Sequence, residues 1–113
     1  MIKIACIQSD VILGESKANL EKMKTQINES VKENVRIIVL PELWTTGYCL
    51  EEIGLHTGEQ ETIISELQSI AKSYNVMLIA GSFPIARKNG VTNTLIVISS
   101  SGELVKTYDK VHL

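Results

Sequence analysis

Ile2, Ile4, Cys6 and Gln8 alternate along the chain with Lys3, Ala5, Ile7 and Ser9. A period of two with apolar residues on both sides predicts a strand over residues 2–8 with both faces covered. The period changes after Gly14. Leu20, Met23, Ile27 and Val31 recur at three- and four-residue spacing, and Lys17, Glu21, Lys24, Glu29 and Lys32 fill the opposite side. This predicts an amphipathic helix of about four turns, with Ser16 as its N-cap.

Arg36-Ile37-Ile38-Val39-Leu40 is a short, β-branched, continuous apolar run. It reads as a buried parallel strand, ended by Pro41, which has no N–H for a ladder. Thr57 and Gln60, three apart, fit a capping box. Ile63, Ile64, Leu67, Ile70, Ala71 and Tyr74 then trace a second helical stripe, which Asn75 can stop. Residues 76–82 form a third apolar run. Lys88-Asn89-Gly90 turns into a fourth strand over 93–98, and Ser101-Gly102 turns into a fifth over 103–109. The expected fold class is α/β in the order β-α-β-α-β-β-β, a mixed sheet with helices on at least one face. Two helices leave one face of five strands poorly covered. Residues 1–113 are therefore expected to be the front part of a larger domain, cut short.

The length, 113 residues, admits one domain. Composition is ordinary for a globular chain, with 44% hydrophobic and 21% charged residues. The net charge is −2, and no basic stripe stands out in either half, which argues against a nucleic-acid partner. No apolar run approaches the ~20 residues of a membrane helix, and the start has no signal-peptide pattern. Cys6 and Cys49 have neither CxxC nor metal-ligand spacing. A reducing cytoplasm is the expected location. Cys6, inside the first strand, reads as a small buried hydrophobe, and Cys49 as a structural or incidental thiol. His56 and His112 are too isolated to hold a metal.

Two positions could carry chemistry. Glu42 follows the carboxyl end of a buried strand, where α/β sheets open their ligand clefts. Beside Pro41, Leu43 and Trp44 it is expected to be partly desolvated, which raises a carboxyl pKa toward values useful in proton transfer. Lys110 also follows a strand, and an ammonium there can donate to a developing oxyanion. Taken singly, each reads more simply as a solvated surface charge. Trp44 and Tyr48 read as cleft-wall or core aromatics.

Leu40-Pro41-Glu42-Leu43-Trp44 and Tyr108-Asp109-Lys110-Val111-His112-Leu113, about seventy residues apart, together resemble the nitrilase superfamily of carbon–nitrogen hydrolases. So do Ile4-Ala5-Cys6-Ile7-Gln8, Ile79-Ala80-Gly81-Ser82, and Asn93-Thr94 with the Gly102 turn. The resemblance runs end to end. It implies part of an α-β-β-α sandwich, with Glu42 as general base and Lys110 as oxyanion donor. It also implies a cysteine nucleophile in a separate motif, beyond these residues, and no metal or cofactor. His112 could then hydrogen-bond near the pocket. Residues 43–48 resemble the bacterial omega-amidase-like branch, which implies a 2-oxo-dicarboxylate monoamide as substrate.

The resemblance thus implies hydrolysis of a small amide to acid and ammonia through a thioester. The 113 residues alone are expected to be inactive, and the bare sheet face to make the chain a homo-oligomer, marginally stable or poorly soluble. A different class stays open: a non-catalytic α/β module for binding or oligomerisation. A nucleotide-binding domain fits poorly, since no GxGxxG or GxxxxGK[ST] is present.

Overall fold

The structure is a computed structural model that describes residues 1–49 and 53–110. Its strands are β1 (Ile4–Cys6), β2 (Ile37–Val39), β3 (Met77–Arg87), β4 (Gly90–Ile98) and β5 (Leu104–Asp109). Helix α1 (Ser16–Val31) connects β1 to β2; a 3-10 helix (Ile53–Glu59) and α2 (Gln60–Tyr74) connect β2 to β3. The five strands lie side by side in sequence order, the first three parallel and the last two antiparallel. The expected order of elements is the observed one, with the 3-10 helix added.

Both helices pack on one face. Leu20, Met23 and Ile27 of α1 and Ile63, Leu67 and Ala71 of α2 share a single core with Ile38, Leu78, Ala80, Ile96 and Ile98. Trp44 and Phe83 meet edge to face in this core, their ring centres 5.8 Å apart. Strand alternation sends the intervening residues to the other face. Cys6, Val39, Ile79, Val97 and Lys106 stand in one cross-strand row there, and Ile4, Ile37 and Met77 in another.

That face corrects two expectations. The first strand is covered on one side only, since Ile4 is 56% exposed. Cys6 shares that side and is exposed rather than a core residue. Its sequence neighbours are apolar, but the sheet face on which it stands carries no helix among the described residues.

The expected caps also differ. Ser16 is the first residue of α1 and makes no capping bond; Glu15 is at the cap position. Asn19 ties down the chain before the helix instead, bonding both the N–H and the carbonyl of Ile12 and reaching Thr45 O. Thr57 lies in the 3-10 helix and donates to Gly54 O, so no capping box forms. Gln60 is fully buried, accepting from Thr45 Oγ1 and donating to His56 O. Asn75 does stop α2, in the left-handed conformation at φ 55°.

β3 runs five residues past its expected end, through Pro84. Its pairing with β2 reaches only Ile79, so Pro84 lies where that side of the strand is an edge and a missing N–H is tolerated. A bulge between Ile79 and Ser82 separates the two parts.

Candidate active site

The site grows out of that bulge. Gly81 has φ +73°, and a Cβ there would stand 2.1 Å from Pro41 O and 2.9 Å from Trp44 Cδ1. Only glycine lets β3 approach the turn after β2 so closely. On either side of it, Ala80 O accepts from the Trp44 indole at 2.9 Å, and Ser82 Oγ accepts from Leu43 N at 3.0 Å. Leu43 is held at φ 48°, an uncommon conformation for a non-glycine residue. These contacts pin both sides of Glu42 and leave its side chain free to turn outward.

At the other end of the constellation, β5 alternates. Tyr108 lines the cleft; Asp109 turns to the helix-bearing face, where Thr94 and Arg87 bond it; Lys110 returns to the cleft. Arg87 and Thr94 hold the Asp109 carboxyl below its ordinary pKa. Lys110 N donates to Asn93 O at 2.9 Å, continuing the β4–β5 ladder past the end of the strand.

The two halves meet at Glu42. Lys110 Nζ donates to Glu42 Oε2 at 2.7 Å, Asn93 Nδ2 donates to the same oxygen at 2.6 Å, and the Tyr48 hydroxyl donates to Oε1. The cleft measures about 310 Å³, with apolar walls from Val39, Ile79 and Leu95 and with Ser82 and Tyr108 beside the pair. It opens on the helix-free sheet face, beyond the carboxyl ends of the parallel strands.

The electrostatics reverse one expectation. Partial burial does push the Glu42 carboxyl upward, but three donors outweigh it. The Lys110 bond contributes most, then Tyr48, and the pKa falls to about 2. The same contact, seen from the phenol, raises Tyr48 above its ordinary value.

The structure therefore brings Glu42 and Lys110 into direct contact. Tyr48 and Asn93 are the site residues that pattern reading missed as carboxylate partners. Tyr48 could have been suspected from its place six residues after Glu42, and Asn93 from its place at the start of an apolar strand, but neither position carries a specific signal. Trp44 is buried in the core, as one of the two readings expected, whereas Tyr48 is 60% exposed. Cys49 is buried and is not among the cleft residues. His112 lies outside the described residues. Among the described residues no cluster of three His, Cys, Asp or Glu side chains could hold a metal, and no helix is long and apolar enough to cross a membrane.

Residues 3–113 match the carbon-nitrogen hydrolase family. The chain belongs to that family. It is 34% identical over 111 residues to the 2-oxoglutaramate amidase of Bacillus subtilis, an alignment covering 97% of this chain and 42% of that protein. Crystallographic Nit3 of Saccharomyces cerevisiae, a member of branch 10 of the nitrilase superfamily, superposes with a TM-score of 0.88 at 27% identity, over 98% of this chain and 44% of the yeast chain. NitN amidase of Nesterenkonia sp. AN1 superposes with a TM-score of 0.88 at 24% identity, over 100% of this chain and 45% of that one, a likeness of fold. The carbon–nitrogen hydrolase chain described here thus spans less than half the length of these relatives. The nitrilase-type α/β fold it shows is correspondingly partial.

Proposed function

We propose that residues 1–113 form the N-terminal part of a cytoplasmic amidase and supply its general base, Glu42, and its oxyanion donor, Lys110. The observation that carries this reading is the 2.7 Å contact between their side chains at the mouth of an apolar cleft. Neither Cys6 nor Cys49 is among the residues that line that cleft, which supports a sulfur nucleophile supplied from outside these residues.

The chemistry follows from the charges. A thiol attacks the amide carbon, its proton passes to Glu42, and the carbonyl electron pair moves to oxygen. Lys110 donates to that oxyanion, a kind of contact worth roughly 3–4 kcal/mol in comparable sites. As Lys110 turns to the new charge, its hold on Glu42 weakens, and the carboxylate gains basicity as it must take the proton. Collapse breaks the C–N bond, and Glu42 returns the proton to the departing nitrogen, leaving a thioester and ammonia. Glu42 then takes a proton from water, whose oxygen attacks the thioester; collapse releases the acid, and the proton returns to the sulfur.

The relative that acts as a 2-oxoglutaramate amidase, together with residues 43–48, favours a 2-oxo-dicarboxylate monoamide as substrate. The test is a chimera in which residues 1–113 replace the matching part of the Bacillus subtilis enzyme. Ammonia release from 2-oxoglutaramate is expected, and is expected to vanish with Glu42→Gln or Lys110→Ala. The 113-residue chain alone is expected to release none. Full activity of the Glu42→Gln chimera would refute the assignment. A second reading, an association module without catalysis, draws on the exposed apolar sheet face; an inactive but folded chimera favours it.

A further inference from the structure

Asn93 makes one bond to each member of the pair. Its side-chain Nδ2 donates to Glu42 Oε2 at 2.6 Å, while its backbone oxygen accepts from Lys110 N at 2.9 Å. The residue is 3% exposed and sits on β4, between Pro84 of β3 and the end of β5. We propose that Asn93 is the positioning residue of this site, fixing the separation of Glu42 and Lys110 through its side chain and its main chain respectively. The inference rests on the catalytic reading of those two residues.

Its chemistry suits that task. A carboxamide donates a hydrogen bond without adding charge, so it orients the carboxylate without displacing the ammonium. Its orientation is determined: turned over, Oδ1 would face a carboxylate oxygen. In the observed orientation Oδ1 is buried with no hydrogen-bond partner among the described residues. A buried acceptor left unmatched is unfavourable, which shows that the Glu42 contact governs how the amide is placed. The strand register reinforces the arrangement. Asn93 and Leu95 share the cleft face of β4, opposite Tyr108 and Lys110, so the main-chain bond holds Lys110 at the level of the Asn93 side chain. Among the described residues, the titratable groups facing Glu42 are Lys110 and Tyr48, with Tyr108 lining the same cleft.

The experiment uses the 113-residue chain with carbon-13-labelled glutamate carboxyls, as wild type, Asn93→Ala and the isosteric Asn93→Asp. The Glu42 titration midpoint is expected to rise in Asn93→Ala and to rise further in Asn93→Asp, where a second carboxylate replaces the donor. In the chimera, each variant is expected to lose roughly 10- to 100-fold in kcat, the loss usual for a hydrogen bond to a charged group, with KM little changed. If Asn93→Ala fails to fold, Asn93→Asp, which keeps the shape, decides. A purely structural role would lower the thermal midpoint and leave the titration and kcat unmoved, and that result overturns the inference. The two readings separate cleanly. A Glu42→Gln chimera that stays active removes the catalytic reading, whereas an inactive one beside an unaffected Asn93→Asp removes only the role of Asn93.

Discussion

Lys110 and Glu42 are 68 residues apart in sequence, and their side chains meet at 2.7 Å. Neither reaches the other by local structure. Glu42 is delivered by a turn clamped onto the β3 bulge, and Lys110 by the third of three alternating positions at the end of β5. The exposure of the two side chains, 35% for Glu42 and 47% for Lys110, makes this a poor stabilising ion pair.

The clamp on Glu42 has a weak point at Gly81. Any Cβ there collides with the Pro41 carbonyl, and φ +73° strains an L-residue as well. Gly81→Ala is expected to destabilise the fold by about 3 kcal/mol or more. Chemical denaturation measures this, and a change in Trp44 fluorescence should accompany it. A fully stable variant would show that the close approach is dispensable.

Acid provides a second check. The Glu42 pKa is lowered to about 2 from an ordinary value near 4.5, chiefly by Lys110 and then by Tyr48. A depressed carboxyl contributes stability that is present above its unfolded value and is lost as the pH falls through its folded one. Between roughly pH 4.5 and pH 2 the wild type should therefore lose more stability than Glu42→Gln. Parallel acid-denaturation curves for the two would contradict this.

Asn19 predicts a larger cost than an ordinary polar helix residue. It is buried, and it serves Ile12 N, Ile12 O and Thr45 O at 2.8 Å each. Asn19→Ala removes the partner of Ile12 N and of Thr45 O, while Ile12 O keeps the Glu15 N–H at 3.1 Å, and is expected to cost about 2 kcal/mol or more. Exchange of the Ile12 amide hydrogen should accelerate in the variant; unchanged protection would show that another group replaces Asn19.

The helix-free sheet face should drive association between copies of the 113-residue chain. Ile4 and Tyr108 on it are 56% and 54% exposed, and Val39, Ile79 and Val97 stand side by side in a row between them. Val97→Glu places a charge in the middle of that face, opposite Lys106 across the strand pair, where it has a counter-ion. Sedimentation should show the wild type associated and the variant shifted toward monomer. A monomeric wild type would rule the association out.

Much was legible in the pattern because it depended on neighbours in the chain. The order of strands and helices followed from periods of two and of three to four, and Asn75 and the Lys88-Asn89-Gly90 turn acted where their local conformations placed them. The Leu40–Trp44 and Tyr108–Leu113 segments pointed to Glu42 and Lys110 through their combination, not through either alone.

The sequence by itself determined which elements form, because backbone propensity and hydrophobic period act over a few residues, and its resemblance to a family singled out Glu42 and Lys110. Only the tertiary structure decided that Tyr48 and Asn93 join them, that three donors overturn the effect of burial on Glu42, that Asn19 and Gln60 tie down the loops where Ser16 and Thr57 were expected to cap, and that Cys6 faces outward. Apart from the Tyr48 contact, which spans six residues, each depends on a contact between segments distant along the chain, or on which sheet face a helix happens to cover. Hydrogen bonds and Coulomb forces at under 3 Å respond to that placement, which no local pattern encodes.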